Sequence, residues 1–260
     1  MSRRSPVLPI DAGDEAIRNA LAEAELPPLL AALVQLTGDP SLLRDDLRLD
    51  PARMNEPQGG WDETQQESVG ALAFDILARH RDAGSPASPV PDRALLSRIM
   101  AFTTGSPDVQ AYVPLLEEEL AISGEDPRAP RWHKQDLAPA VDFRVAVIGA
   151  GMSGLLAAHR LQQAGIPFVV LEKNPEVGGT WWENAYPGCR VDNPSHNYSY
   201  SFAQRTDWPA HYSTQDVLQR YFARFADEHG LHERIRFETE VVSASWSESD
   251  CRWRLLLRDG

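Results

Sequence analysis

Positive charge is in short supply in this 260-residue chain: 25 Lys and Arg stand against 38 Asp and Glu, a formal net charge of −13. Nucleic-acid binding draws its strength from clustered Lys and Arg that displace counterions from phosphates, so the balance argues against a nucleic-acid partner. An anionic membrane surface is disfavoured for the same reason. Cysteine is scarcer still, with only Cys189 and Cys251, far apart and in no CxxC arrangement. That excludes a disulfide framework and a zinc knuckle, leaves no metal site to expect, and makes a reducing, cytoplasmic setting the default. Long apolar runs are missing too. The most apolar early stretch, LPPLLAALVQL, is too short to cross a bilayer and carries two prolines, so no membrane association is expected. The N-terminal MSRRSPVLPIDAGDE has two arginines but not the apolar core of a signal peptide.

What is present is the composition of a globular protein, 42% hydrophobic and 24% charged, enough for a sizeable core. Residues 1–123 read as a small helical domain. EAIRNALAEAEL is rich in strong helix formers; Pro27 and Pro28 then interrupt the register before LLAALVQL resumes it. The clearest helix is DETQQESVGALAFDILARHRD. Asp62 with Gln65 forms a capping-box pattern, and Val69, Leu72, Ala73, Ile76 and Leu77 make one apolar stripe. DRALLSRIMAF and DVQAYVPLLEEELAI complete the set. This half holds no catalytic constellation.

Residues 124–141, GEDPRAPRWHKQDLAPAV in essence, are rich in Pro and charge without periodicity and read as a linker or draped connection. From residue 142 the pattern becomes strand, glycine turn, helix, strand. Val145, Val147 and Ile148 predict a strand buried on both faces. Gly149-x-Gly151-x-x-Gly154 follows, then the helical LLAAHRLQQAG, then the strand IPFVVLEK carrying Glu172. In such a unit Gly149 allows a tight turn and Gly151 lets the backbone approach a pyrophosphate. Gly154 lets helix and strand pack closely, and the acid is placed to bind ribose hydroxyls. The helix N-terminus adds free N–H groups and partial positive charge. A carboxylate at that position also disfavours the 2′-phosphate of NADP there, leaving NAD or FAD. Further on, DWPAHYSTQDVLQRYFARFADEHGL reads as a loop and an amphipathic helix with Val217, Tyr221 and Phe225 on one stripe. IRFETEVVSASW reads as a strand, and WRLLLRDG as another running into a turn. His196 and His211 read as packed or surface groups.

GGTWWENAYPGCRVDNPSHNYSYSF, between Gly178 and Phe202, has neither helical nor strand periodicity. Its glycine pair, adjacent tryptophans and the carboxylate of Asp192 suit a loop laid along a cofactor longer than NAD. Together with GAGMSG and LEKNPEVGG it resembles the FAD-binding half of a type I Baeyer–Villiger flavin monooxygenase. Within that family it is most similar to the 4-hydroxyacetophenone monooxygenase group, whose members carry an additional helical N-terminal domain. The resemblance covers residues 142–260 strongly and the helical region in general character. It implies an α/β Rossmann-like FAD-binding domain, of which 142–260 is the N-terminal part, preceded by the helical domain.

Carried over by position, the resemblance implies that Gly149, Gly151, Ser153 and Gly154 hold the FAD pyrophosphate and Glu172 the adenosine ribose. Gly179, Thr180, Trp181, Trp182, Val191, Asp192 and Tyr198 would line the flavin, and the backbone of Val241 would meet the adenine. Asp192, beside flavin and nicotinamide, is the implied catalytic residue. The implied reaction uses NADPH, FAD and O2 to convert a ketone into an ester or lactone. The chain lacks the family's second glycine fingerprint, its F-x-G-x-x-x-H-x-x-x-W signature and its later arginine. The NADPH site is therefore expected mostly outside it, and residues 1–260 alone are expected to be inactive. Alternatives are an N- or S-oxidising flavin monooxygenase, or a non-catalytic truncated paralogue serving as an association module. The resemblance also leaves room for a homodimer formed through the helical domain.

Overall fold

In the computed structural model, residues 9–53, 55–120 and 126–258 are described. The chain divides into two compact units, Met1–Glu125 and Asp126–Gly260.

The first unit is built from α1 (Asp14–Ala22), α2 (Leu26–Thr37), α3 (Glu63–Asp82), α4 (Arg93–Thr104) and α5 (Val113–Leu120). The prolines do not interrupt α2 but start it: they occupy its first turn, where a missing N–H costs nothing because those groups have no intrahelical acceptor. Accordingly α1 stops at Ala22 rather than reaching Leu26. Gly38 closes α2 in the left-handed region, φ 72°. The capping box on α3 is formed in both directions: the Gln65 backbone N–H donates to Asp62 at 2.8 Å, and the Asp62 N–H donates to the Gln65 side chain at 2.9 Å. Val69, Ala73 and Ile76 of the predicted stripe are buried with Leu30, Leu33 and Val34 of α2, while Leu72 and Leu77 flank that core. Helix α5 starts only at Val113, after a turn over residues 110–112, and residues 121–125 lie outside the described residues.

In the second unit the segment read as a linker is draped on the fold. Asp126 pairs with Arg160, and the Lys134 N–H, at the start of the short helix α6 (Lys134–Leu137), donates to the Ala164 carbonyl at 2.8 Å. Strands β1 (Val145–Ile148), β2 (Phe168–Leu171) and β3 (Ile235–Arg236) form a parallel sheet in the order β1-β2-β3, with α7 (Met152–Gln163) crossing between the first two. A single turn, α8 (Thr180–Glu183), and α9 (Gln215–Glu228) follow β2. Leu155 and Ala158 of α7, Val170 of β2, and Leu218, Phe222 and Phe225 of α9 share one core. This is the Rossmann-like arrangement expected, preceded by the helical segment.

Two expectations about strands fail. β1 is not buried on both faces: Val145 and Val147 are partly covered, but Ala146 and Ile148, on the opposite face, are exposed, and Ile148 opens onto a cleft. Nor is 235–246 one strand. Glu238 takes a positive φ of 52° and the Thr239 N–H turns to the Glu172 carbonyl at 2.8 Å. The chain there leaves the parallel sheet and enters a separate antiparallel hairpin, β4 (Val241–Ser247) and β5 (Arg252–Leu257).

Candidate cofactor-binding site

Three segments converge at the carboxyl ends of β1 and β2. They are the turn after β1 with Gly149 and Gly151, the end of β2 with Glu172 followed by the Gly179–Thr180 loop, and residues 239–241 after β3. Together they line a cleft of about 320 Å³, with Lys173, Glu183 and Glu240 around it. Gly149 has φ 92°, a conformation open to glycine, and a Cβ there would point into free space. Gly154 has no such freedom: a Cβ would stand 1.9 Å from the Gly149 carbonyl oxygen. That contact presses the first turn of α7 against the turn after β1. The N–H groups at that end of α7, including that of the exposed Ser153, have no intrahelical acceptor, and the helix dipole adds positive potential.

The two glycine motifs interlock. Gly151 is the N-cap of α7, and a Cβ on it would lie 3.4 Å from the Gly179 Cα. The intervening Ala150 is fully buried; its carbonyl accepts the Gly178 N–H at 3.1 Å. Its own N–H donates to the Glu172 carboxylate at 2.5 Å, and the other carboxylate oxygen accepts the Asn174 N–H at 2.8 Å. Glu172 is only 3% exposed, yet it borders the cleft. Two backbone donors satisfy this buried carboxylate, and each oxygen keeps a second lone pair for a ligand hydroxyl.

Of the residues expected to contact a cofactor, the cleft therefore gathers Gly149, Gly151, Glu172, Gly179, Thr180 and Val241. It does not gather the others. Trp181 is buried, its indole N–H donating to the Tyr198 hydroxyl at 3.1 Å with the rings edge to face. Trp182 is exposed, Val191 lies in the core, and Asp192 is exposed on the loop beyond it. His196 and His211 are exposed. Sequence reasoning missed Lys173, Asn174 and Glu183. The Lys173 ammonium lies 2.8 Å from Glu183, which raises the lysine pKa and lowers that of the carboxylate, and Asn174 donates to the same carboxylate at 3.0 Å. The only available signal was their closeness in sequence to the acid and the Thr-Trp-Trp turn.

Sequence reasoning also missed a histidine pair outside the cleft lining. His159 on α7 stacks on Phe202 at 5.1 Å, and its ring lies 4.4 Å from that of His229. Burial above all, with His229 and Arg160 nearby, lowers the His159 pKa to about 4.

A glycine turn with open space over Gly149, free N–H groups at a helix N-terminus and a buried acid at the end of the second strand fit the pyrophosphate and adenosine end of a dinucleotide. A family model for an NAD(P)-binding Rossmann-like domain matches residues 147–225. A Baeyer–Villiger monooxygenase of Streptomyces coelicolor is 49% identical over 113 residues, 43% of this chain and 22% of its own. Over about half its length, this chain is homologous to FAD-binding Baeyer–Villiger monooxygenases. An uncharacterized monooxygenase of Sinorhizobium fredii is 32% identical over 245 residues, 93% of this chain and 36% of that protein, so the match takes in both units. The solved structure of an oxidized steroid monooxygenase bound to NADP is 39% identical, covering 45% of this chain and 24% of that one, with a TM-score of 0.44. The chain spans well under half the length of these relatives. Among the described residues, no helix is long and apolar enough to cross a membrane.

Proposed function

We propose that this chain is the FAD-binding portion of an NADPH-dependent flavin monooxygenase that inserts oxygen into ketones, giving esters or lactones. The observation that carries the reading is the interlocked pair of glycine loops around one cleft, with the buried Glu172 at its edge. Bound there, FAD would supply the redox chemistry that joins NADPH, O2 and the ketone. The chain's own residues would hold it. Backbone N–H groups at the start of α7 would face the pyrophosphate, and Glu172 would accept the ribose hydroxyls. Thr180 would border the path toward the ring end. A 2′-phosphate is disfavoured beside Glu172, which favours FAD over NADP in this cleft; most of the NADPH site would lie elsewhere. Trp181, Trp182, Val191 and Tyr198 would support the ring end, and Asp192, exposed on its loop, is free to orient a cationic partner there. The protein would stand near the 4-hydroxyacetophenone group, a reading supported by the helical unit that precedes the Rossmann-like one. A homodimer through the helical unit is part of the same proposal.

Titration of the 260-residue chain with FAD, followed by flavin fluorescence, tests the reading. Saturable quenching is expected, abolished by Gly151→Asp, which would set a carboxylate against the pyrophosphate. Absence of saturation, or identical binding by the variant, rejects the cleft as the flavin site. Product analysis with ketone, amine and sulfide substrates, using a chain of its relatives' length, then separates Baeyer–Villiger from N- or S-oxidising chemistry. Sedimentation of the isolated chain tests the dimer.

A further inference from the structure

Helix α8 is a single turn, and one turn has no stability of its own, so its place depends on the groups that anchor it. Its first residue, Thr180, borders the cleft, while Trp181 is held by Tyr198 and by the Gln215 side chain, which donates to the Trp181 carbonyl. Its last residue, Glu183, receives Asn174 at 3.0 Å and Lys173 at 2.8 Å on one carboxylate oxygen. Asn174 is in turn tied through its backbone N–H to Glu172, and Glu172 to the N–H of Ala150 in the turn after β1. A continuous polar chain thus runs Ala150, Glu172, Asn174, Glu183, from the turn after β1 to the turn that carries the Thr-Trp-Trp residues.

We propose that Asn174 and Glu183 are positioning residues that fix α8 against the phosphate loop, so that the two ends of the cleft hold one spacing matched to a long dinucleotide. This rests on the reading of the cleft as a dinucleotide site. Glu172, besides facing a ligand, is the buried joint of this relay. A ligand that engages both ends, such as FAD, depends on the relay. ADP, which ends at its pyrophosphate, engages only the first end.

The test compares Asn174→Ala and Glu183→Ala with a swap, Asn174→Asp with Glu183→Gln, which restores the hydrogen bond with donor and acceptor exchanged. Losing a hydrogen bond to a carboxylate is expected to weaken FAD binding about tenfold in each single variant, with ADP binding held within about twofold in Asn174→Ala, whose residue lies outside the cleft lining, and with the swap recovering most of the FAD loss. Equal weakening of FAD and ADP, no weakening, or no recovery in the swap overturns the proposal. Amide hydrogen exchange on the ligand-free chain supplies a second readout. Exchange of the Trp181 and Trp182 amides, which bond back to Gly178 and Gly179, is expected to accelerate in Asn174→Ala. If the wild-type chain binds neither FAD nor ADP, the dinucleotide reading fails. Exchange then judges the relay alone, and unchanged exchange rates reject it.

Discussion

Gly179 and Gly151 meet back to back: a Cβ on Gly179 would lie 2.8 Å from the Gly151 Cα. The reverse approach, a Cβ on Gly151, leaves 3.4 Å, which is ordinary contact. Gly179 also has φ 55° and ψ −118°, a combination that a side chain resists. Gly179→Ala is therefore expected to destabilise the second unit by about 1–3 kcal/mol and to weaken FAD binding, with Gly151→Ala the milder of the two. Urea denaturation and FAD titration of both variants check the order. A milder Gly179 variant would mean that the interlock does not control the loop.

Asp126 and Arg160 fasten the segment before β1 to α7. Their side chains are 10% and 21% exposed, and the arginine also lies 4.5 Å from the Phe202 ring centre. Asp126→Ala leaves a mostly buried guanidinium with Gln163 as its remaining side-chain acceptor, and is expected to cost about 1–3 kcal/mol. The urea midpoint of the second unit reads this out. No change would show that the segment is only draped, not fastened.

The His159–His229 pair predicts a pH dependence with a definite sign. Burial lowers both pKa values, that of His159 to about 4 from the 6.5 of a free imidazole. Between those pH values the unfolded chain binds a proton that the folded chain resists. Stability is therefore complete above about pH 6.5 and declines as the pH falls toward 4. Arg205 holds Asp207 down to about 2, so its contribution is lost only below the 3.8 of a free Asp, in a separate window. His159→Phe, which keeps a ring against Phe202, is expected to flatten the decline between pH 6.5 and 4. Thermal melts across that range decide it, and an unchanged slope would point to other groups.

Tyr198→Phe removes the acceptor of the Trp181 indole N–H while keeping the edge-to-face ring contact. A loss of about 1 kcal/mol is expected, the ordinary net worth of one hydrogen bond. Equilibrium unfolding followed by tryptophan fluorescence measures it, and a loss near zero would mean that solvent replaces the tyrosine.

Local chemistry was legible wherever it is set by neighbours in the chain. The Asp62–Gln65 capping box, the buried stripe of α3 and the strand–glycine–helix–strand order could all be read directly, because caps, periodicity and glycine turns act over a few residues. Pro27 and Pro28 were misread because a helix interior rejects proline whereas a first turn accepts it, and sequence alone does not say where the first turn lies. The strand over 235–246 was misread for a related reason. Its alternation continues through the point where Glu238 takes a positive φ, and only the bond from Thr239 to Glu172 reveals the change of sheet.

The sequence by itself determined that a Gly-x-Gly-x-x-Gly turn follows β1, that an acid follows β2, and that a glycine pair leads into a Thr-Trp-Trp turn. Each is written in consecutive residues whose backbone demands are local. Only the tertiary structure decided that the two glycine motifs touch, that Glu172 is buried against the backbone N–H groups of Ala150 and Asn174, and that Asn174 and Glu183 carry the connection onward. Those relationships depend on the parallel pairing of β1 with β2, which brings the segments after the two strands together. Distances between segments separated by more than 20 residues are set by how the sheet and helices pack, and no short pattern encodes them.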